Sequence, residues 1–357
     1  MRYFLFSTLI LLLVACKPKQ ELPVIPEEIP SEYEAGKLRI PRPMQTIAFG
    51  SCNNQRKEQT YWDYIGQNSP NLWIWLGDNI YADTEDMVKM SKMYKKQKFN
   101  PNYMAFKKSY PVIGIWDDHD FGVNDGDKSY AQKKESKRLM LNFLGVHPED
   151  PARKREGAYQ SYLMGPDEQL IKVILLDARY FRDPLEPNPD RMPRYLPNEE
   201  GDLLGEDQWK WLEEELTNSE AKIHLIGSGI QFIPEEHGFE KWANFPKARQ
   251  RFFDLLAKTK PAHTILLSGD RHLAEISKME VAGLDYPVYE ITSSGLTHSY
   301  KDADEPNKYR VSDLIGLRNF GLLKVDWTTT PPTVTAEVRG IENALLARKP
   351  LDWTTND

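Results

Sequence analysis

Short apolar runs alternate with longer amphipathic stretches along most of the chain. Nine runs have the length of strands and are bounded by turn or polar residues: TIAFG (46–50), LWIWL (72–76), VIGIW (112–116), LIKVILL (170–176), KIHLIG (222–227), HTILLSG (263–269), PVYEIT (287–292), FGLLKVD (320–326) and TVTAEVR (333–339). The last alternates and predicts a half-exposed strand. Helical periodicity predicts helices over 59–67, 84–99, 129–143, 206–216 and 247–257. GEDQWKWLEEEL opens with acidic residues, which suit a helix N-terminus. Strands and helices interleaved in this way predict an α/β layered domain. Residues 182–202 carry five prolines and predict a long surface excursion, the kind of loop that often serves function. The sequence contains no internal repeat.

The ends of the chain read differently. Arg2 precedes an apolar run, 4–14, too short to span a bilayer as a stable helix. It closes on LVAC, small residues before Cys16, similar to a bacterial lipobox in which Cys16 is lipidated; an ordinary short anchor or a cleaved peptide is the alternative. We read 1–16 as a lipoprotein signal peptide, 17–44, rich in Pro, Glu and Lys, as a tether, and 45–357 as one catalytic domain. The expected location is outside the cytoplasm, lipid-anchored on the periplasmic or outward face of a bacterial membrane.

Composition narrows the chemistry. The 357 residues are 40% hydrophobic and 28% charged, enough to bury a sizeable core. A formal net charge of −7 argues against a nucleic-acid-binding module, and means an anionic substrate needs a local positive site. Lipidation of Cys16 would leave Cys52 the lone thiol, either a small buried hydrophobe or bound to something. Oligomeric state is not encoded in any pattern here.

Four polar clusters follow apolar runs directly: FGSC with Cys52; LGDNIY with Asp78 and Tyr81; WDDHD with Asp117, Asp118, His119 and Asp120; SGDRH with Asp270 and His272. Open α/β sheets gather ligands at strand carboxyl ends. Singly, each cluster reads as a cap, a turn or packing. Together, acidic groups converging on one sheet edge would repel unless cations hold them, which predicts a dinuclear metal site.

The order GD-x-x-Y, then HD, then G-x-x-H resembles the calcineurin-like metallophosphoesterases and purple acid phosphatases. With FGSC, GDNIY, DDHDFGVND, LLDARYFR, the LLGEDQWKWLEEEL helix and LSGDRH, residues 46–294 resemble the alkaline phosphatase D family. That resemblance implies a four-layer αββα sandwich of two mixed sheets flanked by helices. It implies that Asp78 bridges two metals, that Cys52, Tyr81 and His272 complete the first, and that Asp118 and Asp270 hold the second. Thiolate plus phenolate suits Fe3+; the carboxylates suit Ca2+ or another divalent ion. His119 falls where related enzymes keep a histidine on the substrate or leaving group. One departure stands out: the histidine that purple acid phosphatases carry after a middle strand is missing from LIGSGIQF, which offers Ser228 and Gln231. His224 lies within its strand and reads as core, and His237 follows in a loop.

The expected reaction is phosphate-ester hydrolysis by a water that two cations acidify. Arg179 is the expected partner for the equatorial oxygens, with Arg182 and Arg271 behind it, against the alternative of a structural ion pair. Asp117 and Asp120 are expected to orient ligands. The proline-rich excursion, with Tyr195, and the loop carrying Phe239, Trp242 and Phe245 are expected to rim the cleft, favouring an apolar or sugar-like leaving group. The alternatives are a phospholipase-type phosphodiesterase on the same site, or a non-catalytic surface lipoprotein whose aromatic residues bind glycans or partners.

Overall fold

The computed structural model describes residues 42–354 and the backbone of two short strand segments at 33–34 and 37–38; Cys16 and the expected leader lie outside the described residues. In chain order the main strands are β1 (Thr46–Gly50), β2 (Leu72–Leu76), β3 (Val112–Ile115), β4 (Gln160–Met164), β5 (Ile171–Leu175), β6 (Ile223–Ser228), β7 (Thr264–Ser268), β8 (Ala274–Met279), β9 (Val288–Ser293), β10 (Phe320–Asp326), β11 (Thr333–Arg339) and β12 (Leu345–Leu351). They form two six-stranded mixed sheets, in the orders β12-β11-β10-β1-β2-β3 and β8-β9-β7-β6-β5-β4. β1, β2 and β3 are parallel, as are β5, β6, β7 and β9. β10 closes antiparallel onto the free side of β1.

Strands inside a parallel sheet are covered on both faces and read as unbroken apolar runs. LWIWL of β2 is buried at every position. The helices α1 (Tyr61–Gly66), α2 (Met87–Lys98), α3 (Pro101–Ser109), the single turn α4 (Asp118–Phe121) and α5 (Lys133–Leu144) accompany the first sheet. Trp62 of α1 packs edge-on against Trp73 and Trp75 of β2, with ring centroids 5.1 and 5.3 Å apart. Outside the second sheet lie α6 (Gly205–Leu216) and α7 (Pro246–Thr259). Trp209 and Leu212 of α6 and Phe252 and Leu256 of α7 share one cluster with Ile174, Ile226 and Leu266 of the strands. Where the sheets face each other, a Cβ on Gly227 of β6 would lie 2.9 Å from Leu76 Cδ2 of β2. The result is the expected αββα sandwich.

All nine predicted strands are present, within a residue or two of their expected bounds. The main strands not predicted, β4, β8 and β12, are all sheet edges. Half-exposed edge strands need no continuous apolar run, and LLARKPL of β12 carries a proline that only an edge tolerates.

His224 lies in β6, away from the strand's carboxyl end, with Nδ1 2.8 Å from the Ala262 carbonyl and Nε2 2.8 Å from Ser219 Oγ. Burial lowers its pKa to about 4, helped by Lys172 and His263. The unfolded chain therefore takes up a proton near pH 6.5 that the folded ring refuses until about pH 4. Stability is full above pH 6.5 and falls as pH drops through that window, by up to about 3 kcal/mol from this group. His224→Gln should flatten the slope of unfolding free energy against pH between 6.5 and 4 by about one proton, read from urea melts.

Candidate metal centre

Each predicted cluster sits just beyond the carboxyl end of its strand: Cys52 after β1, Asp78 after β2, Asp117 to Asp120 after β3, Asp270 and His272 after β7. The turns are tight. Gly77 has φ +91°, and a Cβ there would lie 2.3 Å from Asp117 Cβ, so only glycine lets β2 turn past this residue. Four non-glycine residues at these turns are left-handed: Cys52 (φ 62°), Asp78 (49°), Asp270 (67°) and His272 (54°). Such conformations are uncommon outside glycine and persist where surrounding structure enforces them, typically at functional sites.

The ligand atoms converge. Those of Cys52, Asp78 and His272 lie within 4.8 Å of one another, as do those of Asp78, Asp118 and His119, and those of Asp117, Asp118 and Asp270. Asp78 thus belongs to two adjoining groups. Cys52 Sγ is 3.5 Å from Asp78 Oδ2. The Tyr81 hydroxyl is 2.9 Å from His272 Nε2. Asp118 accepts from the backbone N–H of His119 at 2.8 Å and of Asp125 at 2.7 Å.

Asp120 orients the rest. Its carboxylate accepts from the backbone N–H of Asp78 (3.1 Å) and Asp117 (2.8 Å), from Asn79 Nδ2 (2.7 Å) and from the Tyr94 hydroxyl (3.1 Å). His119 is fixed through Nδ1, 2.7 Å from Asp83 Oδ1, and its ring stacks on Tyr81 at 4.2 Å. That leaves Nε2 as the ring atom for a substrate.

The electrostatics describe crowded, dehydrated anions. Burial pushes the Asp78 carboxyl well up; His119 opposes it, while Asp118, Asp120 and Asp270 add to the rise. Asp270 is raised to about 6 by burial against the pull of Arg271. The Cys52 thiol and Tyr81 phenol are raised by burial and then by Asp78. For Asp118 burial is outweighed by Arg179 and His119, which hold it at about 2. Burial, with His298 and Arg271 nearby, brings His272 down to about 3, the neutral form a metal needs. Asp117 Oδ2 and His272 Nδ1 are buried without a hydrogen-bond partner. A cation is the group that reverses the carboxylate, thiol and phenol shifts at once. The donor set therefore fits the expected metals: a mixed S, O and N group at Cys52, Tyr81, His272 and Asp78, beside an oxygen-only group at Asp118 and Asp270.

For Arg179 the alternative of a structural ion pair holds. Arg179 is fully buried. Its Nε pairs with Asp117 Oδ1 at 2.6 Å and its Nη1 with Glu240 at 2.7 Å; only Nη2 is unpartnered. It is a strut behind the site rather than an arm facing substrate, the structural ion pair that was the alternative for this residue. Asp177, in the same motif, accepts from Trp116 Nε1 and from the backbone N–H of Arg179. Arg182 is likewise buried against Glu240, and Arg271 lies 3.5 Å from Asp270 and pairs with Glu305. The aromatic rim is also thinner than expected: Trp242 and Phe245 are core residues of the second sheet's helical face. Tyr195 and Phe239 remain half-buried near the site, Tyr195 bonded to Asp125 and Phe239 under the Arg271 guanidinium.

Several residues here escaped the sequence reading. His298 packs edge-on against His272 and Tyr81, with ring centroids 4.2 and 5.2 Å apart. Asp125 and Glu240 form a further acidic group with Asp118. His298 follows β9, whose end joins the same edge, and a search beyond every strand end would have found it. Glu240, in an irregular loop, has no such signal.

The sequence profile described as PhoD-like phosphatase matches residues 47–319. No protein of curated function matches the chain. Among solved structures, PhoD is similar with a TM-score of 0.67 at 17% identity, covering 90% of this chain and 73% of that one. The purple acid phosphatase PPD1 of yellow lupin (Lupinus luteus) seeds gives 0.57 at 10% identity, over 90% and 55%. A dimetal phosphatase of Danio rerio gives 0.53 at 12% identity, over 87% and 100%. At these identities the structures speak to the fold, and the profile to the family.

Proposed function

The chain belongs to the PhoD-like phosphatase family, and from that premise we propose that this phosphoric-ester hydrolase is a two-metal enzyme that cleaves phosphodiesters as well as phosphomonoesters. The observation that carries the two-metal reading is the sharing of Asp78 between two adjoining donor groups. Cys52, Tyr81 and His272 would hold Fe3+ with Asp78; Asp118 and Asp270 would hold Ca2+ or another divalent ion, with Asp117 Oδ2 free to join them. Such ions, when bound, supply positive charge that acidifies water and neutralises phosphate oxygens. His119, held by Asp83, presents Nε2 to the leaving oxygen and gives it a proton. Arg179 keeps Asp117 in place and lowers the cost of the acidic cluster. A tether to the membrane through Cys16, with residues 45–357 acting as one catalytic domain outside the cytoplasm, completes this reading.

Room for a second ester substituent comes from a cavity of about 520 Å³ whose lining runs over 83–85 and 122–131, beside His119. The test compares kcat/KM for a bis-aryl phosphate with that for the matching aryl monoester on metal-loaded protein, before and after chelation. Activity on both that vanishes with the metal is expected. Activity surviving chelation rejects the metal reading. A monoester preference beyond about 100-fold, about 2.7 kcal/mol, rejects the diesterase.

His119→Ala should keep its metals and lose roughly 10²–10⁴-fold in kcat, most for poor leaving groups, which need the proton. Metal analysis beside a leaving-group series checks this; loss of metal would make His119 a ligand.

A further inference from the structure

Away from the acidic cluster, two basic stretches, KKESKR (133–138) and ARKRE (152–156), are brought together by α5 and the short helix Pro151–Lys154. Between them lies a cavity of about 240 Å³, lined by Lys134, Lys137, Arg138, Arg153, Lys154 and Arg155 with a single acid, Glu156. In a chain of net charge −7 such a concentration of cations requires explanation.

Three of these cations are matched at the surface: Lys134 by Glu156 (2.8 Å), Arg138 by Glu135 (2.6 Å) and Lys154 by Glu149 (2.7 Å). Lys137 and Arg155 are not matched by any carboxylate within ion-pair distance among the described residues. Lys137 is only 7% exposed, and its Nζ donates to the Arg155 carbonyl oxygen. The Arg155 guanidinium lies over the Tyr159 and Trp211 rings, 3.9 and 4.9 Å from their centroids, and donates through Nη2 to the Tyr159 carbonyl. Its Nε is buried without a partner. Burial lowers the Lys137 pKa to about 8; Asp177 opposes this, and Arg155 deepens it. A buried ammonium beside a half-buried guanidinium whose Nε is unspent is costly in itself and suited to an anion. The aromatic rings hold the guanidinium in one orientation, so little ordering remains when a tetrahedral oxyanion arrives.

We propose that this pocket is a second oxyanion site, binding a phosphate group between Lys137 Nζ and Arg155 Nε, separate from the metal centre. The phosphate is either free inorganic phosphate, the product of the hydrolysis proposed above, or a further phosphate of a substrate that carries several.

The experiment uses metal-loaded protein and inorganic phosphate as the probe. Phosphate at about five times its Kd should raise the Tm of the wild type by roughly 1–2 °C. Asp78→Asn, impaired at the metal centre, should keep that rise. Lys137→Met should lose it while its own Tm in phosphate-free buffer holds or increases, because a buried charge has been removed. Arg155→Gln provides the same comparison should Lys137→Met fold poorly. The proposal is overturned if the wild type shows no shift, or if the shift persists in Lys137→Met and Arg155→Gln, whatever Asp78→Asn does. Kinetics separate the sources. A raised KM in Lys137→Met confined to a multiply phosphorylated substrate assigns the pocket to substrate, and an unchanged KM with a lost Tm shift assigns it to free phosphate. Loss of all phosphoesterase activity in the wild type would instead count against the functional reading and leave the phosphate shift as an independent result.

Discussion

Asp78→Asn is expected to lower turnover of an aryl phosphoester by ~10³-fold or more, about 4 kcal/mol of transition-state stabilisation, and to deplete bound metal. The substitution is nearly isosteric and removes the one charge common to both donor groups, one oxygen 3.5 Å from Cys52 Sγ and the other 3.3 Å from the His119 N–H. It also carries a stability signature of opposite sign. Burial and the surrounding carboxylates raise the Asp78 pKa, so its charged form opposes folding at neutral pH without metal. Chelated Asp78→Asn should therefore melt at or above chelated wild type, whereas metal should stabilise only the wild type. Metal analysis, kinetics and melts with and without chelator decide the matter. Near-native turnover with a full metal complement in the variant would remove Asp78 from its bridging role.

Glu240→Ala should be the most destabilising single change near the site, costing about 3–5 kcal/mol. The Glu240 carboxylate is fully buried and pairs with both Arg179 (2.7 Å) and Arg182 (3.3 Å). Burial raises Glu240 to about 7 even against those two guanidinia. Without it, Arg182 has only carbonyl oxygens, and Arg179 only Asp117 and a long bond to the Gly126 carbonyl at 3.5 Å. The lost balance should also disturb Asp117 and lower metal affinity. Urea melts give the first effect and metal titration the second. Arg179→Met with Glu240→Leu should recover much of the stability and none of the affinity, because it restores a buried apolar contact but not the strut. A loss below about 1 kcal/mol in Glu240→Ala would mean that water reaches the arginines.

How much of this could be read from sequence depended on where each residue sits. β1, β2 and β3 are buried on both faces, so their apolar runs name them, and the polar residue just past each run names the site edge. Cys52, Asp78, Tyr81, Asp118, Asp270 and His272 are all of that kind, and the fold brings them together. β4, β8 and β12 pair on one side only and carry mixed residues, so no run marks them. The roles of Arg179, Trp242 and Phe245 depended on burial by partners distant in sequence. Glu240 lies 61 residues from Arg179, and no local pattern reveals that it claims the guanidinium. His298 was overlooked because the polar residue after β9 comes beyond the SSGLT turn rather than directly at the strand end.

The pairing of β1 has a consequence for the order in which the protein is made. The strand leading into Cys52, β1, is an interior strand of its six-stranded sheet only because β10, β11 and β12 arrive last and close its open side. Until residues 320–351 have left the ribosome, one side of β1 presents a bare row of N–H and C=O groups. The strand that leads to the earliest ligand is thus closed by the latest strands. A chain interrupted before 320 would hold every metal-type side chain named above and still leave the strand that leads into the first of them unpaired on one side.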